Sequence, residues 1–149
     1  MNTYWWRPLS KQRAVRFLLL IGFFVVVIFS AILSVNANGT VHIKADGNID
    51  GTDKILRDGN VYKFAENIVN QSVVVEKDNI VIDGDGHSLE GDGKLEGIWL
   101  ENRYNVTIKK MNISNFGEGI KIMGTGSKNN SIIGNTITCN GHETYGNGI

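Results

Sequence analysis

The chain has 149 residues, 42% of them hydrophobic and 20% charged, with 15 Lys and Arg against 15 Asp and Glu, so its formal net charge is zero. Its 18 glycines and single proline suit a turn-dense β protein, and its lone Cys139 excludes an internal disulfide. Four basic residues, Arg7, Lys11, Arg13 and Arg16, lie before residue 17, which leaves residues 38–149 with 11 basic against 15 acidic groups, a net charge near −4 that argues against a nucleic-acid partner.

Residues 17–35 are an uncharged, apolar run of 19 behind that basic flank. The arrangement is that of an export segment. Val35-Asn36-Ala37 provides small residues for cleavage after Ala37, and the run is also about long enough to cross a bilayer as a helix. Residues 1–37 are therefore expected to be either a signal peptide or an uncleaved signal-anchor helix. Both readings put the remainder outside the cytoplasm, secreted or anchored to the cytoplasmic membrane by residues 17–35.

Residues 38–78 are less regular. Runs 41–44 and 61–64 alternate, 72–76 is β-branched, and Asp46-Gly47, Asp50-Gly51 and Asp58-Gly59 mark turns. This stretch is expected to form an N-terminal cap, because the first strands of a stacked fold expose unpaired edges that need a cover. Residues 73–75 are candidates for the first winding.

Residues 79–149 repeat. Ile82, Ile108 and Ile132 lie 26 and 24 residues apart, each shortly after Asn79, Asn105 and Asn129 or Asn130, and Ile113 and Ile137 are again 24 apart. Gly97-Ile98, Gly119-Ile120 and Gly148-Ile149 recur at 22 and 29. Within each repeat, strand-length runs fall at 79–83, 88–90 and 97–101, at 106–109, 112–114 and 119–123, then at 131–133 and 136–138. Two-residue alternation in Ile80/Ile82, Val106/Ile108 and Ile120/Ile122 puts these side chains on one face, and Asn, Gly, Ser and Asp punctuate the runs too often for a helix. Self-similarity of this kind predicts an all-β solenoid with three strands per coil, a parallel β-helix preceded by one N-terminal hydrophobic helix. Its core would be columns: Ile80 under Val106, Ile82 under Ile108 under Ile132, and Ile98 under Ile120 under Ile149. The recurrent Asn residues serve either as turn formers or as amides bonded along the axis. Since the chain stops where earlier windings begin an inward strand, a truncated stack from a longer protein is expected.

The segment NIVIDGDGHSLEG, followed by NVTIKKMNISNFGEGIKI and NNSIIGNTITCNG, resembles the right-handed parallel β-helix repeats of the pectate-lyase-like superfamily, and NosD-like surface proteins in particular. The likeness covers about the last half of the chain and speaks to fold more than function. Taken with the export segment, the expected function is that of a non-catalytic extracytoplasmic module for carbohydrate or cell-envelope contact or for spacing. The alternatives the likeness brings are a fragment of a polysaccharide lyase or glycoside hydrolase, and an accessory protein for maturation of a copper enzyme.

Candidate chemistry is sparse. Asp83-Gly84-Asp85-Gly86 with Asp92-Gly93 is oxygen-rich enough to suggest calcium, but a twelve-residue calcium loop starting at Asp83 would end on Lys94, so a tight turn is expected and no cofactor is assigned. Glu101, Arg103, Lys109, Lys110 and Lys121 form no recognisable lyase pattern, Glu96, Glu101 and Glu118 no defined carboxylate pair, and no catalytic residue is assigned. For copper, His87, His142, Met111, Met123 and Cys139 are suitable ligand types, of which only Cys139 and His142 are close in sequence, and no metal ligand is assigned. Asn38, Asn70, Asn105, Asn112 and Asn129 each open an Asn-x-Ser/Thr sequon, meaningful for an exported chain. The expected partners are thus a polysaccharide or envelope component, and a membrane through the N-terminal segment.

Overall fold

In strands where aliphatic and polar residues alternate, one face can be dry only if something apolar covers it. Here each strand is covered by strands of its own winding and extended by the next. A computed structural model describes residues 39–138 and Gly141. The expected signal or anchor helix, Asn38, Cys139, His142 and Ile149 lie outside the described residues. Among the described residues fourteen strands make three sheets. Sheet A contains β1 (Gly39–Ile43), β2 (Ile49–Asp50), β6 (Gln71–Val75), β9 (Glu96–Glu101) and β12 (Glu118–Met123). Sheet B contains β3 (Ile55–Asp58), β4 (Val61–Phe64), β7 (Ile80–Asp83), β10 (Val106–Lys109) and β13 (Ser131–Ile133). Sheet C contains β5 (Ile68–Val69), β8 (Ser88–Glu90), β11 (Asn112–Ser114) and β14 (Thr136–Thr138). From β4 onward the chain visits B, C and A in strict rotation, and each strand pairs in parallel with its counterpart one winding on. The molecule is a parallel β-solenoid of about three turns.

The register stacks like on like. Ile80 pairs with Val106, and Ile82 with Ile108, which pairs with Ile132. Leu89, Ile113 and Ile137 form a second column, and Val73, Ile98 and Ile120 a third. Most of these side chains are fully buried, each contributing about 1.5–3 kcal/mol relative to exposure. Ile132 and Ile137 are partly buried, and Ile122, expected inside, is 38% exposed on the outermost described strand of its sheet. The first winding is filled by larger residues. Tyr62 lies in the Ile82 column, and its hydroxyl reaches the Gly47 carbonyl at 2.9 Å, so the one polar atom of this buried ring is satisfied.

The parallel ladders begin at β1, not at residue 79. β1, β4 and β5, all within the stretch read as a cap, pair in parallel with β6, β7 and β8. Only β2 and β3 are antiparallel, lying along the outer edges of β1 and β4. They occupy the positions where unpaired backbone groups would otherwise face solvent.

The corners use Asn in both of the expected ways. Asn79, Asn105 and Asn129 occupy equivalent positions before β7, β10 and β13, with φ of 57°, 54° and 57°, a left-handed conformation that Asn accepts readily. The Asn105 amide donates to Asn79 Oδ1 at 2.9 Å. Asn130 instead spans windings: its Oδ1 accepts from the Val106 N–H at 3.0 Å and its Nδ2 donates to the Arg103 carbonyl at 2.8 Å. Asn135 does the same with the Met111 N–H and the Ile108 carbonyl. Corner amides that cannot reach a ladder partner are thus satisfied by side chains.

Column burial makes a direct prediction. Ile108→Ala, in the middle of its column, is expected to cost about 2–5 kcal/mol, whereas Ile133→Ala, on an outward-facing 58% exposed position nearby, changes stability by about 0.5 kcal/mol or less. Urea unfolding of the two variants checks this, and equal midpoints would sink the columnar core.

Candidate functional site

The outward positions of sheet A carry the densest chemistry among the described residues. Alternation in Gly97-Ile98-Trp99-Leu100-Glu101 turns Ile98 and Leu100 inward, both fully buried, and so turns Trp99 outward. Across the sheet Trp99 lies between Val74 on β6 and Lys121 on β12, and Val74 in turn pairs with His42 on β1. Beside this row a concavity of about 220 Å³ is lined by Val74, Val75, Glu76, Trp99, Glu101 and Arg103. Its floor is aromatic and aliphatic, and its rim is charged.

The turn after β9 supplies the wall. Arg103 Nε donates to the Glu101 carbonyl at 2.9 Å, Nη1 donates to the Glu76 carbonyl at 2.9 Å, and Nη1 lies 3.7 Å from Asp78 Oδ1. The guanidinium therefore links two windings. Glu76 Oε1 sits 2.8 Å from His42 Nδ1. Among the described residues the Glu101 carboxylate forms no ion pair, and the Trp99 indole nitrogen, shielded from solvent, has no hydrogen-bond partner. A shielded donor without an acceptor costs about 1–3 kcal/mol.

On the next rung Lys121 is clamped between Glu96 Oε1 at 2.7 Å and Glu118 Oε2 at 2.8 Å. Hydrogen bonds to Glu118 and Glu96 push the Lys121 ammonium pKa up. The hydrogen bond from Lys121 holds the Glu96 carboxyl below its ordinary value, against the opposing effect of burial. A lysine locked in its charged form is a structural clip, unsuited to accept a proton.

The residues singled out in the sequence are dispersed by the fold. Glu101 and Arg103 share the concavity, and Glu96, Glu118 and Lys121 form the clip, but Lys109 and Lys110 lie away on and after β10 of sheet B. Asp83 and Asp85 belong to a turn: Asp85 and Gly86 have φ of 50° and 89°, His87 N donates to the Gly84 carbonyl at 2.8 Å, and Asp83 Oδ1 accepts from Asp85 N at 3.0 Å. Their carboxylates face different lysines, Lys109 at 3.1 Å and Lys63 at 2.8 Å. Burial resists ionisation of Asp83, yet the Asp85 N–H and Lys109 hold its carboxyl below the usual value. Met111 is buried in the core, Met123 is exposed, and His87 Nδ1 lies 3.3 Å from Asn67 Oδ1. No group of three or more His, Cys, Asp or Glu converges among the described residues. Of the sequons, Asn105, Asn112 and Asn129 are exposed, while Asn70 is half-buried with its Ser72 buried. Trp99, His42 and Glu76 were not singled out, although the alternation around Trp99 places an aromatic on the outer face and could have signalled it.

The chain matches no protein-family model, no curated protein and no solved structure.

The clip sets a pH dependence. A carboxylate with its pKa depressed on folding stabilises the folded state above the unfolded value, ordinarily 4.5 for glutamate, and that stabilisation is lost as pH falls through the folded value. Stability is expected to drop on acidification from about pH 5 to about pH 3, and Lys121→Met should flatten this slope by an amount worth at most about 1 kcal/mol, since the pair is partly solvated. Denaturant midpoints across that range test it; an unchanged slope in the variant removes Lys121 as the cause.

Proposed function

We propose that this chain is a non-catalytic, extracytoplasmic β-helix module that binds carbohydrate on the outer face of sheet A. The single observation that carries the reading is Trp99, an outward-facing aromatic at a concavity whose rim holds Glu76, Glu101 and Arg103. An indole face packs on the C–H face of a pyranose ring, while carboxylates and backbone groups at the rim accept sugar hydroxyl protons.

The winding is right-handed in this reading, and the likeness to pectate-lyase-like and NosD-like repeats is one of shared architecture. Export rests on the basic flank and apolar run of residues 1–37, with retention at the membrane through residues 17–35 or release after Ala37. Among the described residues no helix is long and apolar enough to cross a membrane. The absence of catalysis in this module is supported by the engagement of its charged groups: Arg103 is tied to backbone carbonyls, Lys121 to two glutamates, and Asp83 and Asp85 to lysines. Such groups hold the stack together.

A glycan array probed with the full chain is expected to show oligosaccharide binding that Trp99→Ala weakens at least about tenfold, or about 1.4 kcal/mol, with the unfolding midpoint little changed. Binding that survives in Trp99→Ala would move the site elsewhere.

A further inference from the structure

The charge around Trp99 narrows the class of sugar. Resting on the reading of this concavity as a carbohydrate site, we infer that its preferred ligand is an oligosaccharide with free amino groups, of the glucosamine type, and not an acidic or fully acetylated one.

Two cations flank Trp99, and both are already occupied. Arg103 directs Nε and Nη1 into the carbonyls of Glu101 and Glu76 and has Asp78 at 3.7 Å. Lys121, the cross-strand neighbour of Trp99, is held by Glu96 and Glu118 at 2.7 and 2.8 Å. Each charge is thus offset by carboxylates it already faces, Asp78 for Arg103 and Glu96 with Glu118 for Lys121. The carboxylates at the concavity are less committed: Glu101 has no ion pair among the described residues, and Glu76 faces only His42. A ligand entering between Glu76 and Glu101 therefore meets net negative charge over an aromatic surface. An ammonium group gains from both, through the carboxylates directly and through the electron-rich indole face. A uronate would set like charge against Glu101, and an acetylated amine would present a neutral amide to it. The 11 basic against 15 acidic groups of residues 38–149 act in the same direction over longer range.

The full chain is titrated calorimetrically, at one ionic strength, with tetramers of glucosamine, of N-acetylglucosamine and of galacturonate. The glucosamine tetramer is expected to bind about tenfold tighter or more than either other, a preference that Glu101→Gln removes. Asp58→Asn, an exposed carboxylate on β3 of sheet B, is the control for bulk charge and should leave the preference intact. Equal or tighter binding of the acetylated or galacturonate tetramer overturns the amino-sugar assignment while leaving a Trp99-dependent sugar site standing. A preference lost equally in Asp58→Asn overturns it too, as general electrostatics. If none of the three tetramers binds, the carbohydrate reading itself fails and this inference with it.

Discussion

In-register parallel pairing is the constraint on which everything else in this molecule depends. Each rung fixes the next, because a slip of one residue would turn a whole inward set outward and expose it. That is why Ile82, Ile108 and Ile132 sit in one column although the intervals between them are not equal. The surplus residues must go into corners, and the corners must return the chain to the same starting geometry every time. The left-handed Asn79, Asn105 and Asn129 do this, and the bridging amides of Asn130 and Asn135 satisfy the backbone that the ladders leave over.

The same constraint governs the outer surface. Side chains on successive rungs stand about 4.8 Å apart, so groups far separated in sequence become neighbours. Asp83 meets Lys109, Glu96 meets Lys121, and His42 meets Glu76. Individually such exposed or half-exposed pairs are worth little, about 0–1 kcal/mol. Their effect is on composition: they use up most of the charged groups that might otherwise look like an active site, while the Glu101 carboxylate beside Trp99 forms no ion pair among the described residues. Ion pairs between rungs also oppose slippage, since a shifted register would bring Lys109 away from Asp83 and Lys121 away from Glu96.

From β7 onward the strands could be read almost residue by residue, because alternation, Asn and Gly repeat there at nearly constant spacing. The first winding could not. Paired His42 and Val74 are 32 apart in sequence, whereas Val74 and Trp99 are 25 apart, and the excess is the antiparallel β2 and β3. That insertion breaks the period, so β1, β4 and β5 read as irregular although they obey the same pairing. The site was harder still. A repeat search finds what recurs, and Trp99 recurs nowhere: its column runs His42, Val74, Trp99, Lys121, with no two alike. Outward columns are free to vary where inward ones are not, which is the property that lets a site be placed on them.

The Gly-Ile pairs show what close packing asks of a single dipeptide. Ile98 and Ile120 are core residues in one column, and the glycine before each is itself buried. A Cβ on Gly97 would collide with the Gly119 carbonyl and come within 2.9 Å of Phe116 Cδ2, and one on Gly91 would collide with the same ring. Phe116, only 2% exposed, belongs to the buried core cluster, and its ring packs so closely on Gly91 and Gly97 that only glycine fits there. The outward row of Val74, Trp99 and Lys121 runs along the same sheet. The far wall is Arg103, whose bonds to the Glu76 and Glu101 carbonyls tie it to two rungs at once. The concavity at Trp99 is therefore braced across two rungs of the ladder.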